Sequence, residues 1–340
     1  MVILSAFAGT ILFSCAPARQ SGQGADLVIY TSHPDDLART VIDEFRERTG
    51  LRVHTVSDGT GALLERLGAE NGSGADVLWG GGAESLVANI RLFVPYLSPE
   101  RTAIPASLRD SEGFWTGFTV LPMVIIVNTR LVRESDIPRR WSEVMAPSFA
   151  GSVAFADPSR SGSSYTILRT ILVAMEEAEK KSPEDSIRDA DEWRIVRDLV
   201  RAIGGVPLEE SALVYRGVAS GEYLVGMTYE NAGADSRRLG SDVRVIYPGD
   251  GTSAVPDGVA MLHGAPHEDA AKQFIDFVLG QDVARVVSAR FGRRSARSDA
   301  PVPDGLPPLD TLRLVNYDFD AAVSTRAVTI ERFSALCGSP

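Results

Sequence analysis

The chain has 340 residues, enough for about two domains of ordinary size, each with its own core. Hydrophobic residues make up 44% of the chain and charged residues 23%, a globular composition that excludes a disordered, collagenous or multi-pass membrane protein. The formal net charge is -11, so no nucleic-acid partner is expected. The only cysteines, Cys15 and Cys337, form neither a zinc-binding nor a redox CxxC pair.

The first fourteen residues are uncharged and almost wholly apolar, but they are shorter than the ~20 residues that span a bilayer. That length suits the hydrophobic region of a signal peptide, and we predict a signal peptide over residues 1–14. Cys15 and the polar stretch to residue 26 resemble the lipid-modified cysteine and tether of a bacterial lipoprotein. No Lys or Arg precedes Cys15, and Phe13 stands where a small residue is usual. A signal that is cleaved without lipidation, or a buried helix with an incidental cysteine, is therefore the alternative.

From residue 27 onward, short β-branched runs alternate with amphipathic runs, which predicts a mostly parallel sheet covered by helices. Strands are predicted at 27–30, 51–56, 76–79, 118–127, 152–155, 223–227, 243–246 and 258–262, and helices at 34–49, 62–69, 84–92, 165–176, 192–203 and 270–279. The run at 118–127 is long and apolar, as expected of a strand that crosses between two lobes. The Pro-rich stretch 301–308 is a predicted loop before a helical tail.

Three motifs that mark large enzyme classes are absent: G-x-S-x-G, G-x-x-x-x-G-K-[ST] and H-E-x-x-H. His263 and His267 are four residues apart, but the Gly-Ala-Pro between them would interrupt the helix that such a metal site needs. The Gly-rich stretches lack the third glycine of a dinucleotide-binding fingerprint. The sequence therefore predicts no catalytic residue, no metal ligand and no cofactor.

Small and polar residues concentrate where predicted strands give way to helices, the ligand-facing ends of an open α/β sheet. Helix N-termini present unpaired N–H groups there, and neighbouring hydroxyls add donors that suit a phosphate, phosphonate or carboxylate. The same residue types are also common helix caps and turn residues. The candidate ligand-binding residues are Ser32, His33, Gly59, Thr60, Gly80, Gly81, Arg160, Ser161, Gly162, Ser163, Tyr229 and Glu230.

Individual roles follow from chemistry. Ser32, Ser161 and Ser163 are predicted to donate hydrogen bonds to the anion, with helix capping as the alternative. Glu230 is predicted to accept from a hydroxyl or amine of the ligand, or else to hold a backbone turn. Arg160 either neutralises the anion or is surface charge, and His33 either donates to the ligand or caps its own segment.

Taken in order, these segments resemble a bacterial extracellular solute-binding protein of the ferric-binding type, the capture component of an ATP-binding-cassette importer. The resemblance spans about Leu27 to Arg297. It is carried by LVIYTSHPDDLARTVIDEFRERTGLRV, ADVLWGGGAESLVANI, VIIVNTRLV, FAGSVAFADPSRSGSSYTIL, VASGEYLVGMTYENA and VPDGVAMLHGAPHEDAAKQFIDFVLG.

The resemblance implies an α/β, two-lobe periplasmic-binding-protein fold of type II. Each lobe is expected to be a mixed sheet flanked by helices, joined to the other by crossing hinge strands, with the ligand held in the cleft. Lobe 1 is expected over 27–123 and 255–300, and lobe 2 over 124–254 and 301–340. The implied protein is a monomer outside the cytoplasm, held to the membrane by its lipid, with an importer permease as partner.

Two kinds of ligand occur in this family, and the residues favour one. Iron binders carry an adjacent tyrosine pair after the G-E-Y-x-x-G stretch, whereas this chain has the single Tyr229 there. They also tend to carry a glutamate in the loop after the A-D-V strand, where this chain has glycines 80–82. Relatives that bind phosphorylated sugars or aminoethylphosphonate combine Ser, Thr and Gly loops with a carboxylate, as this chain does.

The predicted function is therefore capture of a small phosphate- or phosphonate-bearing anion. One alternative is capture of ferric iron, in which Tyr229 and His33 would hold the metal together with an exogenous anion. The alternative from another class is a hydrolase that uses the same cleft, with Glu230 and His33 as general base or acid.

Overall fold

The structure, a computed structural model, describes residues 24–69, 74–179 and 192–338. The predicted signal peptide at 1–14, and Cys15 with the tether as far as residue 23, lie outside the described residues. No helix within the described ranges is long and apolar enough to cross a membrane.

The described ranges contain ten strands and eleven α-helices. The strands are β1 (Leu27–Thr31), β2 (Val53–Ser57), β3 (Val77–Gly82), β4 (Phe93–Val94), β5 (Thr116–Asn128), β6 (Val153–Ala154), β7 (Val225–Tyr229), β8 (Val243–Ile246), β9 (Ala254–Leu262) and β10 (Arg294–Ser295). The helices are α1 (Asp35–Thr49), α2 (Thr60–Ala69), α3 (Ala83–Ala88), α4 (Trp141–Val144), α5 (Gly162–Glu179), α6 (Glu192–Ala202), α7 (Ser211–Ser220), α8 (Glu230–Arg238), α9 (Glu268–Leu279), α10 (Gln281–Phe291) and α11 (Phe319–Cys337).

Most of the predicted elements are confirmed within a few residues. The predicted helix at 84–92 is shorter, because α3 ends at Ala88 and a 3-10 turn, Ile90–Leu92, follows it. Three longer helices, α7, α8 and α10, were missing from the prediction. The expectation of a mostly parallel sheet is wrong: β1 pairs in parallel with β2 and β3, but β9 runs antiparallel to both β3 and β5. The mixed sheets implied by the family resemblance are confirmed.

Strand β5 connects two sheets. The first sheet has the order β2-β1-β3-β9-β5, with β4 on β9 and β10 on β5, and the second has the order β5-β7-β6, with β8 on β5. Residues Thr116–Pro122 pair with β9, and Met123–Val127 pair with β7. A strand of 13 residues spans about 40 Å at ~3.3 Å per residue, so it passes through both sheets. The predicted crossing strand is confirmed.

Apolar cores lie on either side of the point where β5 changes partners. Val120 belongs to the core of the first sheet and Met123 to that of the second. The C-terminal segment contacts both sheets: Phe319 packs edge-on against Trp115, in a second apolar cluster of the first sheet, and Phe333 packs against Phe155 in the core of the second sheet. The lobe boundaries given above stay a prediction.

Candidate functional site

Hydroxyl groups and glycine backbone lie next to one another where β1 and β3 of the first sheet end and where α2 begins. Thr60, the first residue of α2, donates from Oγ1 to Ser32 Oγ at 3.0 Å. Gly80 and Gly81 lie in the last residues of β3 and have φ of +124° and +82°, a region that favours glycine. A Cβ on Gly80 would lie 2.5 Å from Ser32 Oγ. The glycines are therefore needed for the backbone to approach Ser32 and Thr60.

A second hydroxyl cluster lies where α5 and α7 begin. Ser161 Oγ is 2.7 Å from Ser211 Oγ and 3.2 Å from Ser163 Oγ, and Ser163 Oγ is 3.0 Å from Ser211 Oγ. Ser161 also caps α5, because its Oγ accepts from the backbone N–H of Ser164 at 3.2 Å. We call Ser161, Ser163 and Ser211 the serine trio. Sequence reasoning missed Ser211, whose one local signal is a serine directly before a helical run.

Other predicted residues lie close to the serine trio without joining it. Gly162 is the first residue of α5, between two of the serines. The Arg160 side chain is 58% exposed, and its guanidinium lies 3.6 Å from Glu209, an arrangement typical of surface charge. Gly59 precedes α2, and its carbonyl accepts from the backbone N–H of Leu63 at 3.1 Å.

His33 is buried in an aromatic setting on the first sheet. Its ring centroid lies 4.6 Å from that of Trp79 and 5.2 Å from that of Phe118. Burial lowers the pKa of His33 to about 4, and the Asp257 carboxylate, 3.9 Å from Nδ1, only partly opposes this shift. The imidazole is therefore neutral near pH 7. Its Nε2 is buried without a hydrogen-bond partner among the described residues.

Arg293, which sequence reasoning missed, lies next to His33. Its Nη2 donates to Asp257 Oδ2 at 2.8 Å and to Thr119 Oγ1 at 3.2 Å, whereas its buried Nε has no partner among the described residues. Burial raises the pKa of Tyr229 to about 12, and the Arg293 charge opposes that shift. Arg293 therefore lies within electrostatic reach of residues from both sheets.

Glu230 is the first residue of α8, and its carboxylate accepts several hydrogen bonds. Arg294 donates to it from Nε at 2.7 Å and from Nη2 at 2.8 Å, and Tyr247 donates from its hydroxyl at 2.5 Å. Glu230 is 2% exposed. A carboxylate offers about four acceptor positions, so these three bonds occupy most of its capacity. The ion pair between Glu230 and Arg294 also connects the two sheets. Arg294 belongs to β10 of the first sheet, and Glu230 directly follows β7 of the second sheet.

Tyr229 ends β7 and has a second phenol beside it. The ring of Tyr215, one helical turn after Ser211 on α7, lies 6.5 Å from the Tyr229 ring, edge to face. Tyr215 also helps to raise the Tyr229 pKa, after the larger effect of burial. Tyr215 therefore brings a phenol within one helical turn of a member of the serine trio. In the described ranges, no three His, Cys, Asp or Glu side chains are placed to hold a metal ion together.

Two mixed α/β sheets that share a crossing strand, with hydroxyl-rich loops and helix starts in each, define a two-lobed binding protein of the type II periplasmic class. Residues 73–321 match the family of bacterial extracellular solute-binding proteins, and the chain belongs to that family. Its members serve ATP-binding-cassette importers as solute-capturing components outside the cytoplasm. A small solute and an importer permease are therefore its partners.

Relatives within the family carry different ligand names. A "Fe(3+)-binding periplasmic protein" of Serratia marcescens is 24% identical over 290 residues, 81% of this chain and 80% of the relative. A Salmonella typhimurium (strain LT2) protein, whose name proposes 2-aminoethylphosphonate as its ligand, is 22% identical over 275 residues, 77% of this chain and 74% of the relative. The periplasmic binding protein AfuA of Actinobacillus pleuropneumoniae, solved with fructose-6-phosphate, superposes with a TM-score of 0.78 at 22% identity, covering 92% of this chain and 99% of AfuA.

Proposed function

We propose that this protein captures a small phosphate- or phosphonate-bearing solute between its two sheets and delivers it to an importer without chemical change. The observation that carries the proposal is the serine trio at the starts of α5 and α7. Three hydroxyls that bond to one another can rotate to donate to a shared anion. The N–H groups of the adjacent helix N-termini add to the same positive potential. Ser32 and Thr60 would face the ligand from the first sheet.

The balance of buried charge supports an anion held by neutral donors. Glu230 is neutralised by Arg294 and Asp257 by Arg293, while His33 is neutral. No acidic group among these is left to repel a phosphate oxygen. Because the carboxylate of Glu230 is occupied, we assign it the role of positioning Arg294 across the sheets. Recognition of hydroxyls or an amine on the ligand then falls to Tyr215 and Tyr229.

Ferric iron is the second candidate because Tyr215 lies beside Tyr229 and supplies a second phenol. Against it, burial raises the Tyr229 pKa to about 12, so binding of phenolate to the metal would have to overcome that cost. Ferric ion added with phosphate as the second anion should give no stoichiometric visible charge-transfer band. A band that is lost in Tyr229→Phe would instead establish iron as the cargo.

The hydrolase alternative has weak support from the site. A general base needs free acceptor positions, but Glu230 already accepts three hydrogen bonds, and His33 is buried among aromatic rings. Incubation of the purified protein with sugar phosphates should release no inorganic phosphate. Release that disappears in His33→Gln would favour the enzyme.

The anion proposal is tested by calorimetry with inorganic phosphate and glucose-6-phosphate as probes. Ser161→Ala and Ser211→Ala should each weaken binding by about ten- to a hundredfold, since a hydrogen bond to a charged group contributes about 1.5–3 kcal/mol. Ser220→Ala is the matched control, because Ser220 ends α7 and donates to the carbonyl of Gly217. If both trio variants bind these probes as the control does, the trio is not the anion site.

A further inference from the structure

Helix α5 carries a row of hydroxyls on one face. Ser163, Thr166 and Thr170 are three and four residues apart, the spacing that places side chains on one side of a helix. Ser163 belongs to the serine trio. Thr170 Oγ1 lies 2.6 Å from Ser253 Oγ, and Ser253 accepts from the backbone N–H of Met123, where β5 enters the second sheet. Thr166 therefore lies between the candidate binding loop and the crossing strands.

The Thr166 hydroxyl lies 3.1 Å from the carbonyl of Gly162 on its own helix, and also reaches a buried carboxylate on α3 of the first sheet. Thr166 Oγ1 lies 2.9 Å from Glu84 Oε2 and 3.1 Å from Oε1. Glu84 is the second residue of α3, directly after the glycine end of β3, and it is 7% exposed. Thr166 and Glu84 thus join the two helices that begin at the predicted ligand loops.

The C-terminal segment also contacts the Glu84 carboxylate. The Tyr317 hydroxyl donates to Glu84 Oε1, and the Tyr317 ring packs against the cores of both sheets. Burial raises the pKa of Glu84, and the bonds from Tyr317 and Thr166 oppose that shift. Burying a carboxylate is unfavourable unless its oxygens are hydrogen-bonded. Losing either partner therefore makes this arrangement of α3, α5 and the C-terminal segment less favourable.

We propose that Glu84 is a positioning residue that latches the two lobes, through Thr166 and Tyr317, in the arrangement that brings the two sets of binding loops together. The proposal rests on the proposed function in taking those loops as walls of one cleft. Rotation of the lobes about β5 would move α3 relative to α5, and a hydrogen bond tolerates only a few tenths of an ångström before it weakens.

The test compares isosteric variants by small-angle scattering without ligand and by stopped-flow binding of inorganic phosphate. Glu84→Gln should increase the radius of gyration and weaken phosphate binding at least fivefold, chiefly through faster dissociation. Thr166→Val should act in the same direction, whereas Thr166→Ser, which keeps the hydroxyl, should restore wild-type behaviour. Glu65→Gln is the charge-matched control, because exposed Glu65 lines the same surface cavity as Glu84 without belonging to the latch.

The outcomes separate the latch from the proposed function. If Glu84→Gln and Thr166→Val keep the wild-type radius of gyration, the latch proposal is wrong, whatever their affinities. If the wild type does not bind phosphate, the proposed ligand class fails while the scattering comparison still decides the latch. Should Glu84→Gln fail to fold, the Thr166→Val and Thr166→Ser pair gives the same decision.

Discussion

The buried ion pair between Glu230 and Arg294 gives the sharpest stability prediction. Both side chains are nearly inaccessible, at 2% and 4% exposure, and the guanidinium makes two hydrogen bonds of 2.7 and 2.8 Å. Arg294→Met keeps much of the side-chain length but removes the charge. The carboxylate then stays buried with only Tyr247 as a donor. Breaking such a pair from one side costs about 3–5 kcal/mol, so we expect a loss of that size in the free energy of unfolding.

Urea unfolding, followed by tryptophan fluorescence, measures this loss against that of an exposed arginine–glutamate pair. Arg244 donates to both oxygens of Glu134 at 2.7 Å, but the side chains are 44% and 65% exposed. Arg244→Met should therefore cost no more than about 1 kcal/mol. The double variant Arg294→Met with Glu230→Leu should regain at least half of the loss, because no unpaired carboxylate remains. Equal losses for the two arginine variants would refute the reasoning.

Three further outcomes are expected. The folded-state pKa of His33 is about 4 and the unfolded value is about 6.5, so the unfolded chain binds this proton more readily. The contribution of His33 to the free energy of unfolding should therefore fall by about 3 kcal/mol as pH drops from 6.5 to 4. In urea titrations at each pH, His33→Gln should lose less stability than the wild type by about this amount. Gly80→Ala should abolish phosphate binding in calorimetry, since its Cβ would lie 2.5 Å from Ser32 Oγ, whereas Gly50→Ala, with nothing within 4 Å, should bind normally. If Cys15 is lipidated, detergent partitioning should retain the wild type but not Cys15→Ser; equal partitioning would contradict the anchor.

Helices and strands could be predicted from the sequence where apolar side chains recur with a regular period. Leu37, Val41, Ile42 and Phe45 of α1 are buried at helical spacing, and Gly50 caps the end of the helix with φ of +73°. Helix α8 escaped prediction because small residues, rather than large apolar ones, face the sheet. A Cβ on Gly233 would lie 2.6 Å from the Ile126 side chain, so this helix packs by close backbone approach. Hydrophobic periodicity gives no signal for packing of that kind.

The candidate site was predictable in its loops but not in its pairings. Ser161 and Ser163 stand out in a Ser-rich segment before a helix, whereas Ser211 joins them from 48 and 50 residues further along the chain. Glu230 likewise reads from the sequence as a free carboxylate after an apolar strand. Its partner Arg294 is 64 residues away, and only the folded topology brings β10 beside α8. Which polar groups remain free for a ligand is thus a property of tertiary contacts.

The pairing of charges has a consequence for how binding can be controlled. An anion site without an unpaired arginine must gather its attraction from several hydroxyls and N–H groups, each contributing about 1–3 kcal/mol. Affinity then depends steeply on whether all of those donors are assembled at once. Separating Ser32 and Thr60 from the serine trio would release the ligand without any change of charge. On the proposed function, contacts that set the distance between α3 and α5, such as that of Glu84 with Thr166, would therefore control affinity although they lie outside the predicted binding loops.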